Sequence, residues 1–304
     1  MTPNYKKGIY LAILTAVISG FSIFINKLAV DSIKPALVFT ATKNFGVGFF
    51  IISLVLITGK WQQIKKVTKK ELAQLILIGI IGGSLPFYLF FTGLSQSSAI
   101  NSAMIHKSLI FWVALLAIPF LKEKLSRIQA LAVSILFISN YFVGGFSGFQ
   151  FGRGEELILL ATILWAIENV IAKKVLPHID PDLVTAFRMG LGSLILIIAS
   201  VVIYPAALSK TLSLTTLQYF WLFLTMTSLL AYVMTWYRAL KYAPAIIVTA
   251  ILVSSTLITN VLSAIFITHA WTITLSLQSL AMLLGIVFLI LFSSKTKDFS
   301  LQAK

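Results

Sequence analysis

Residues Ala99–Lys124 read AINSAMIHKSLIFWVALLAIPFLKEK. From Ala99 to Leu121 the run is long enough to cross a hydrocarbon layer ~30 Å thick as a helix rising ~1.5 Å per residue. Yet His106 and Lys107 lie near its middle. A lysine at the centre of a spanning helix costs at least ~2.5 to 3.5 kcal/mol, a cost met where the side chain faces a wet cavity or a partner. The stretch therefore places the chain in a membrane and puts charge inside the protein.

Working outward, the same texture repeats. The 304 residues are 59% hydrophobic and 11% charged, with a mean hydropathy of +0.98, more apolar surface than a soluble core of this size would hide. Ten apolar runs of spanning length fall at roughly 8 to 30, 35 to 58, 71 to 93, 98 to 120, 126 to 146, 154 to 174, 182 to 204, 215 to 240, 244 to 268 and 272 to 292. The sequence thus predicts an all-α membrane protein with ten transmembrane helices. The first run, Gly8 to Ile25, follows Lys6 and Lys7 but lacks a small-x-small cleavage site, so it is read as the first helix. Absence of cysteine excludes a disulfide framework, a thiolate metal site and a cysteine nucleophile.

Charge fixes the expected orientation. The net charge of +15 would suit nucleic acid only on a soluble basic face, and these residues sit in short loops instead, so no nucleic-acid partner is expected. With alternating spans, 17 basic residues, among them Lys60, Lys65, Lys66, Lys122, Lys173, Arg238 and Lys295, share one side. Lys27, Lys34, Arg153 and Lys210 hold the other. The positive-inside rule then predicts a multi-pass protein of the plasma membrane with both termini cytoplasmic. In the loop GKWQQIKKVTKKE (Gly59–Glu71), Trp61 and Ile64 are expected at the interface with the lysines on anionic headgroups.

The chain also repeats. A shift of 146 residues brings Pro35 onto Pro181, Leu37 and Val38 onto Leu183 and Val184, Gly93 and Leu94 onto Ala239 and Leu240, and Ala99 onto Ala245. Five spans separate the copies, and five is odd. Residues 8–148 and 152–293 are therefore expected to be two inverted five-helix repeats, an arrangement that holds substrate near the midplane.

Four motifs carry a family resemblance. The run WYRALKYAPA (Trp236–Ala245) is echoed by FTGLSQSSA (Phe91–Ala99), Glu123 follows the fourth span in LKEKLSRIQ, and Gln129 opens the fifth. On these, the chain resembles the drug/metabolite transporter superfamily and its EamA-domain branch over about residues 8 to 292. It departs from the pattern at His269, where a second glutamate belongs, and at Ala132, where a glycine belongs. Glu123 is accordingly read as structural, a helix-end carboxylate among Lys122, Lys124 and Arg127.

Inside the spans lie Lys43, Lys107 and Arg188 against Glu168, with His106 beside Lys107 and Trp165 one turn from Glu168. Glu168 and Arg188 sit at matching depth, so an ion pair is expected, either structural or substrate-binding. Lys43 has Ser22 where the repeat would put an acid. His106 reads more simply as a core histidine than as a proton relay. Asn101, Asn140, Asn169 and Asn260 are expected to bond between helices, and Pro86 and Pro119 to bend theirs.

The surplus positive charge favours a small anionic or zwitterionic metabolite such as an amino acid as substrate. All six interior residues, Lys43, Lys107, Arg188, Glu168, His106 and Trp165, are the substrate-binding candidates. The expected activity is secondary transport by alternating access, with export implied by the resemblance and coupling to a proton, best at Glu168, or to a counter-substrate. The alternative is a multidrug exporter or a lipid-carrier flippase. No Walker motif, metal-ligand set or catalytic triad is present, so no cofactor and no enzymatic role are expected.

Overall fold

A computed structural model describes residues 2–30, 32–97, 99–139 and 152–293. All regular elements among the described residues are helical, as lipid demands of a chain that must satisfy its own backbone groups. In order they are α1 (Pro3–Ala29), α2 (Ala36–Ile57), α3 (Lys69–Gly83), α4 (Leu85–Gln96), α5 (Ala99–Lys107), α6 (Leu109–Leu121), α7 (Arg127–Ile138) and α8 (Arg153–Val175). Then come α9 (Pro181–Ala186), α10 (Gly192–Ile203), α11 (Pro205–Ser209), α12 (Thr216–Tyr242), α13 (Ala245–Val253), α14 (Ser255–Ser263) and α15 (Ile273–Ser293). A π-helical turn, Phe187–Leu191, joins α9 to α10, another, Ala264–Thr268, follows α14, and a 3-10 segment, Lys60–Lys66, fills the loop after α2.

Among the described residues eight helices, some of them composites, are long and apolar enough to cross a membrane. α8 has the length, at 23 residues, but carries six charged side chains in RGEELILLATILWAIENVIAKKV. α7 is described over 12 residues only. The remainder of the fifth expected span, with Asn140, lies outside the described residues, as do Lys295, Lys297 and Lys304.

Several expected spans are broken. Ser84 (φ −125°, ψ −76°) separates α3 from α4, and Pro86 occupies the first turn of α4, where its missing N–H costs nothing. The fourth span breaks at Ser108, and α6 contains Pro119 within its length. The ninth breaks at Ser254. These two serines are 146 residues apart and share one geometry: φ/ψ of −62°/−10° and −65°/−10°, each hydroxyl donating over 2.6 Å to the carbonyl three residues back, Ile105 and Ile251. Such back-bonding competes with the helical ladder. The same interval relates the caps of α7 and α15, where Ser126 and Thr272 accept from the amides of Gln129 (3.2 Å) and Leu275 (3.1 Å).

The halves meet along three seams: α1 against α12, α4 against α8, and α7 against α15. Between helices in lipid, close packing replaces the hydrophobic drive, so small residues mark the nearest approaches. A Cβ on Gly83 would stand 1.9 Å from the Arg188 carbonyl, and one on Gly192 would stand 2.5 Å from the Gly83 Cα. Glycine at both positions lets α3 lie directly on the π turn that bears Arg188.

Candidate functional site

Between the halves lies a cavity of about 790 Å³. At one end exposed Lys34 lines its mouth with Pro35 and Ala36; deeper in, its wall includes Lys43, His106, Lys107, Trp165, Glu168 and Arg188. All six candidate residues thus share one space. Tyr232 and Trp236 line it too, whereas Tyr88 and Trp112 do not.

Lys43, on α2, is buried. Its ammonium donates to Asn26 Oδ1 of α1 at 2.8 Å and sits 4.9 Å from the Phe39 ring centre and 5.1 Å from that of Phe91. Asn26 Nδ2 donates on to the Ser22 carbonyl at 2.8 Å and hydroxyl at 3.2 Å. Lys107 ends α5 at the Ser108 break and reaches across to Ser255 Oγ, at 2.7 Å, beside the matching break. Neither lysine has a carboxylate partner among the described residues. Each is held by a neutral group and, for Lys43, by the faces of two rings.

Glu168 and Arg188 do not form the expected direct salt bridge. The Tyr237 hydroxyl of α12 donates a short hydrogen bond to Glu168 Oε1, while Arg188 Nε donates to the Gly82 carbonyl at 3.2 Å. Trp165 Nε1 shares that carbonyl at 3.1 Å. A Cβ on Gly82 would lie 2.5 Å from Glu168 Cγ and 3.4 Å from Arg188 Nε, so acid and base crowd one bare stretch of backbone and feel each other's charge. The π turn carries Arg188 against Phe87 and Tyr237, 5.9 and 5.7 Å from their ring centres. Tyr237 and Phe91 are 146 apart: each half sets a cation over the same ring position, and only the second also supplies a hydroxyl and an acid.

His106 and Trp165 form an aromatic wall with Phe90 and Phe87. The Trp165 ring lies 5.1 Å from His106, 5.5 Å from Phe90 and 5.4 Å from Phe87. His106 Nδ1 is enclosed without a hydrogen-bond partner, and the ring borders the cavity, so it is not a fully satisfied core histidine. Asn169 and Asn260 bond between helices as expected, accepting from Trp236 Nε1 at 3.1 Å and donating to Gln278 at 3.0 Å.

At the lysine-rich end, outside the cavity lining, lies an ionic cluster. Lys60 Nζ contacts Asp180 Oδ1 at 3.1 Å and Asp182 Oδ2 at 2.5 Å, and Arg238 Nη2 meets Asp182 Oδ1 at 2.5 Å. Gln63 adds hydrogen bonds of 2.9 Å to the His178 carbonyl and from the Asp180 amide. Lys60 was expected on a lipid headgroup, but two acids close by in space claim it. Burial lowers its pKa, and the hydrogen bonds to Asp182 and Asp180 more than reverse this, leaving it above 10.5. Trp61 and Ile64 stay partly exposed, with Lys65 over the Trp61 ring.

A model of the EamA-like transporter family matches residues 6–145 and again residues 152–291. The chain belongs to that family. It is 27% identical to an uncharacterized transporter, YyaM, of Bacillus subtilis over 64% of this chain and 65% of that protein, and 28% identical to an uncharacterized transporter of Archaeoglobus fulgidus over 62% and 65%. The chain thus spans just under two thirds of the length of these two curated relatives. An uncharacterized transporter of Methanothermobacter thermautotrophicus is 22% identical over 94% of this chain and 87% of its own length. In fold it is similar to a solved crystal structure with a TM-score of 0.73 at 13% identity, covering 91% of this chain and 98% of the other. These findings make it an integral, multi-pass transporter-family protein.

The EamA-like motifs acquire a physical meaning at one joint. Lys122 ends α6 in the left-handed conformation (φ 56°), a helix stop, and turns Glu123 inward, away from the basic neighbours expected to surround it. Its buried carboxylate accepts from the first amides of α13, Ala245 at 2.6 Å and Ile246 at 3.0 Å. Burial pushes the carboxyl above the usual carboxylate range, although those amides and Lys173 pull it down. Lys173 donates to the Leu240 carbonyl in the last turn of α12 at 2.5 Å and to that of its C-cap, Ala243, at 2.7 Å. An acid on one helix start and a base on the preceding helix end complement both dipoles and clamp the WYRALKYAPA junction.

Tyr237, Asn26 and Ser255 belong to the site without standing out in the sequence. Tyr237 lies inside WYRALKYAPA, and its 146-residue register with Phe91 is a usable signal. Ser255 follows the serine that repeats Ser108. Nothing in the local pattern singles out Asn26.

Proposed function

We propose that this EamA-like protein is a secondary carrier of the cytoplasmic membrane that moves a small anionic or zwitterionic metabolite, outward by family likeness, by alternating access between two inverted five-helix halves, ten spans in all. The lysine-rich end is then cytoplasmic, with both termini there, and the described conformation faces outward. One observation carries the reading: Lys43, Lys107 and Arg188 line a single cavity between the halves with Glu168 as its one acid among the described residues. A field of that sign concentrates anions and opposes cations. The closure built on Asp182 bars the inner side, and opening it while the mouth near Lys34 shuts would complete a cycle. Coupling to a proton would run through Glu168.

The test is uptake into proteoliposomes. Replacing Lys107 by Gln, one atom shorter but still polar, deletes the charge and should lower transport of acidic solutes by about tenfold, the order of one charge-assisted contact, with the melting temperature held. Unchanged uptake would overturn the assignment.

A further inference from the structure

We infer that the preferred substrate is an organic anion with an apolar, ring-bearing body and no cationic group. This rests on the carrier reading above and narrows it from acids and zwitterions together to acids alone.

The first ground is an account of charges and donors. An ammonium has three N–H donors. Lys43 spends one on Asn26, and Lys107 spends one on Ser255. Two on each lysine meet no oxygen or nitrogen acceptor among the described residues, Lys43 having only the Phe39 and Phe91 ring faces besides Asn26, on groups that are 2% and 4% exposed yet border the cavity. A buried cation without a counter-charge is costly, and a carboxylate supplies both the charge and the missing acceptors. The second ground is what an amino group would find. Glu168 is the one acid among the described lining residues, and it is already held by Tyr237 and set against Arg188. A substrate ammonium would have to displace those contacts while facing two lysines of its own sign. The third ground is the wall between the charges. Phe87, Phe90, Trp165 and Tyr232 line the space, offering ring faces and edges to a hydrocarbon body. An amphiphile with one acidic end satisfies wall and lysines together. A zwitterion of the same shape leaves one end opposed.

Three probes share one body: 3-phenylpropionate, phenylalanine and phenethylamine. Binding to the purified full chain is read by thermal shift, and transport by counterflow in proteoliposomes. The expected order is phenylpropionate tightest, phenylalanine weaker by tenfold or more, and phenethylamine undetected. Asn26→Asp would give Lys43 a carboxylate partner and should weaken phenylpropionate binding about tenfold while narrowing its lead over phenylalanine; Lys43→Gln should weaken it alike. Phenylalanine binding as tightly as phenylpropionate, or none of the three binding, would overturn the inference and leave the carrier reading standing. Phenylpropionate that binds but never crosses the bilayer would sink the carrier reading and leave the anion site in place.

Discussion

Replacing Asp182 by Asn removes the one buried charge on which the proposed closure at the lysine-rich end converges. Its carboxylate meets Lys60 and Arg238 at 2.5 Å each. Breaking a fully buried pair costs ~3 to 5 kcal/mol, but the two cations are about a third exposed (33% and 30%), and water screens such pairs heavily. A shift of ~1 to 3 kcal/mol away from the closed arrangement follows, about 5- to 150-fold in the population open on that side. The natural chain contains no cysteine, so a single Thr185→Cys reports without background. Thr185 is fully buried one turn beyond Asp182, and a maleimide reaches it only when the closure parts. In detergent the labelling rate of Thr185→Cys should rise by that factor when Asp182→Asn is added, with both melting temperatures matched as a control. An unchanged or slower rate would refute the view that these residues hold the lysine-rich end shut.

Two further outcomes follow from the same geometry. Lys60 is held above its ordinary pKa, so its share of the closure is complete below about pH 10.4 and is lost only as pH rises through the raised value; labelling of Thr185→Cys, corrected for thiolate fraction, should be flat from about pH 6 to 9, and a step within that range would show that another group controls closure. Glu123→Ala leaves the Ala245 and Ile246 amides buried without acceptors, which costs ~1 to 3 kcal/mol, and thermal unfolding in detergent should show a matching loss of stability, whereas an unchanged midpoint would remove Glu123 from the clamp.

Much of this architecture is written in composition and spacing, because a bilayer allows few solutions. Runs of spanning length are visible without knowing their partners, and a 146-residue offset is arithmetic. That Lys43, Lys107, Arg188 and Glu168 share one cavity was legible for the same reason: charge in lipid has nowhere else to go. The breaks at Ser108 and Ser254 were less so, since serine mid-helix is unremarkable and prolines, here Pro119, attract suspicion first. Contacts between distant helices were opaque. Glu123 seemed to belong to the lysines beside it in sequence, but a left-handed residue at Lys122 sends it to another helix, and Lys60 found its acids some 120 positions away. Tyr237 between Glu168 and Arg188 required knowing how far the π turn shifts one helix face, which no periodicity encodes.

The latch falls outside the repeat. Moving back 146 positions from Asp180 and Asp182 gives Lys34 and Ala36, and moving forward from Lys60 gives Ala206, so the 146-residue offset does not reproduce this acid-base set. A scaffold whose halves are copies would by itself idle equally in either posture. In the carrier proposed above, a fastening outside the repeat acts as a return spring, drawing the machine after each stroke to the posture in which the lysine-rich end is shut.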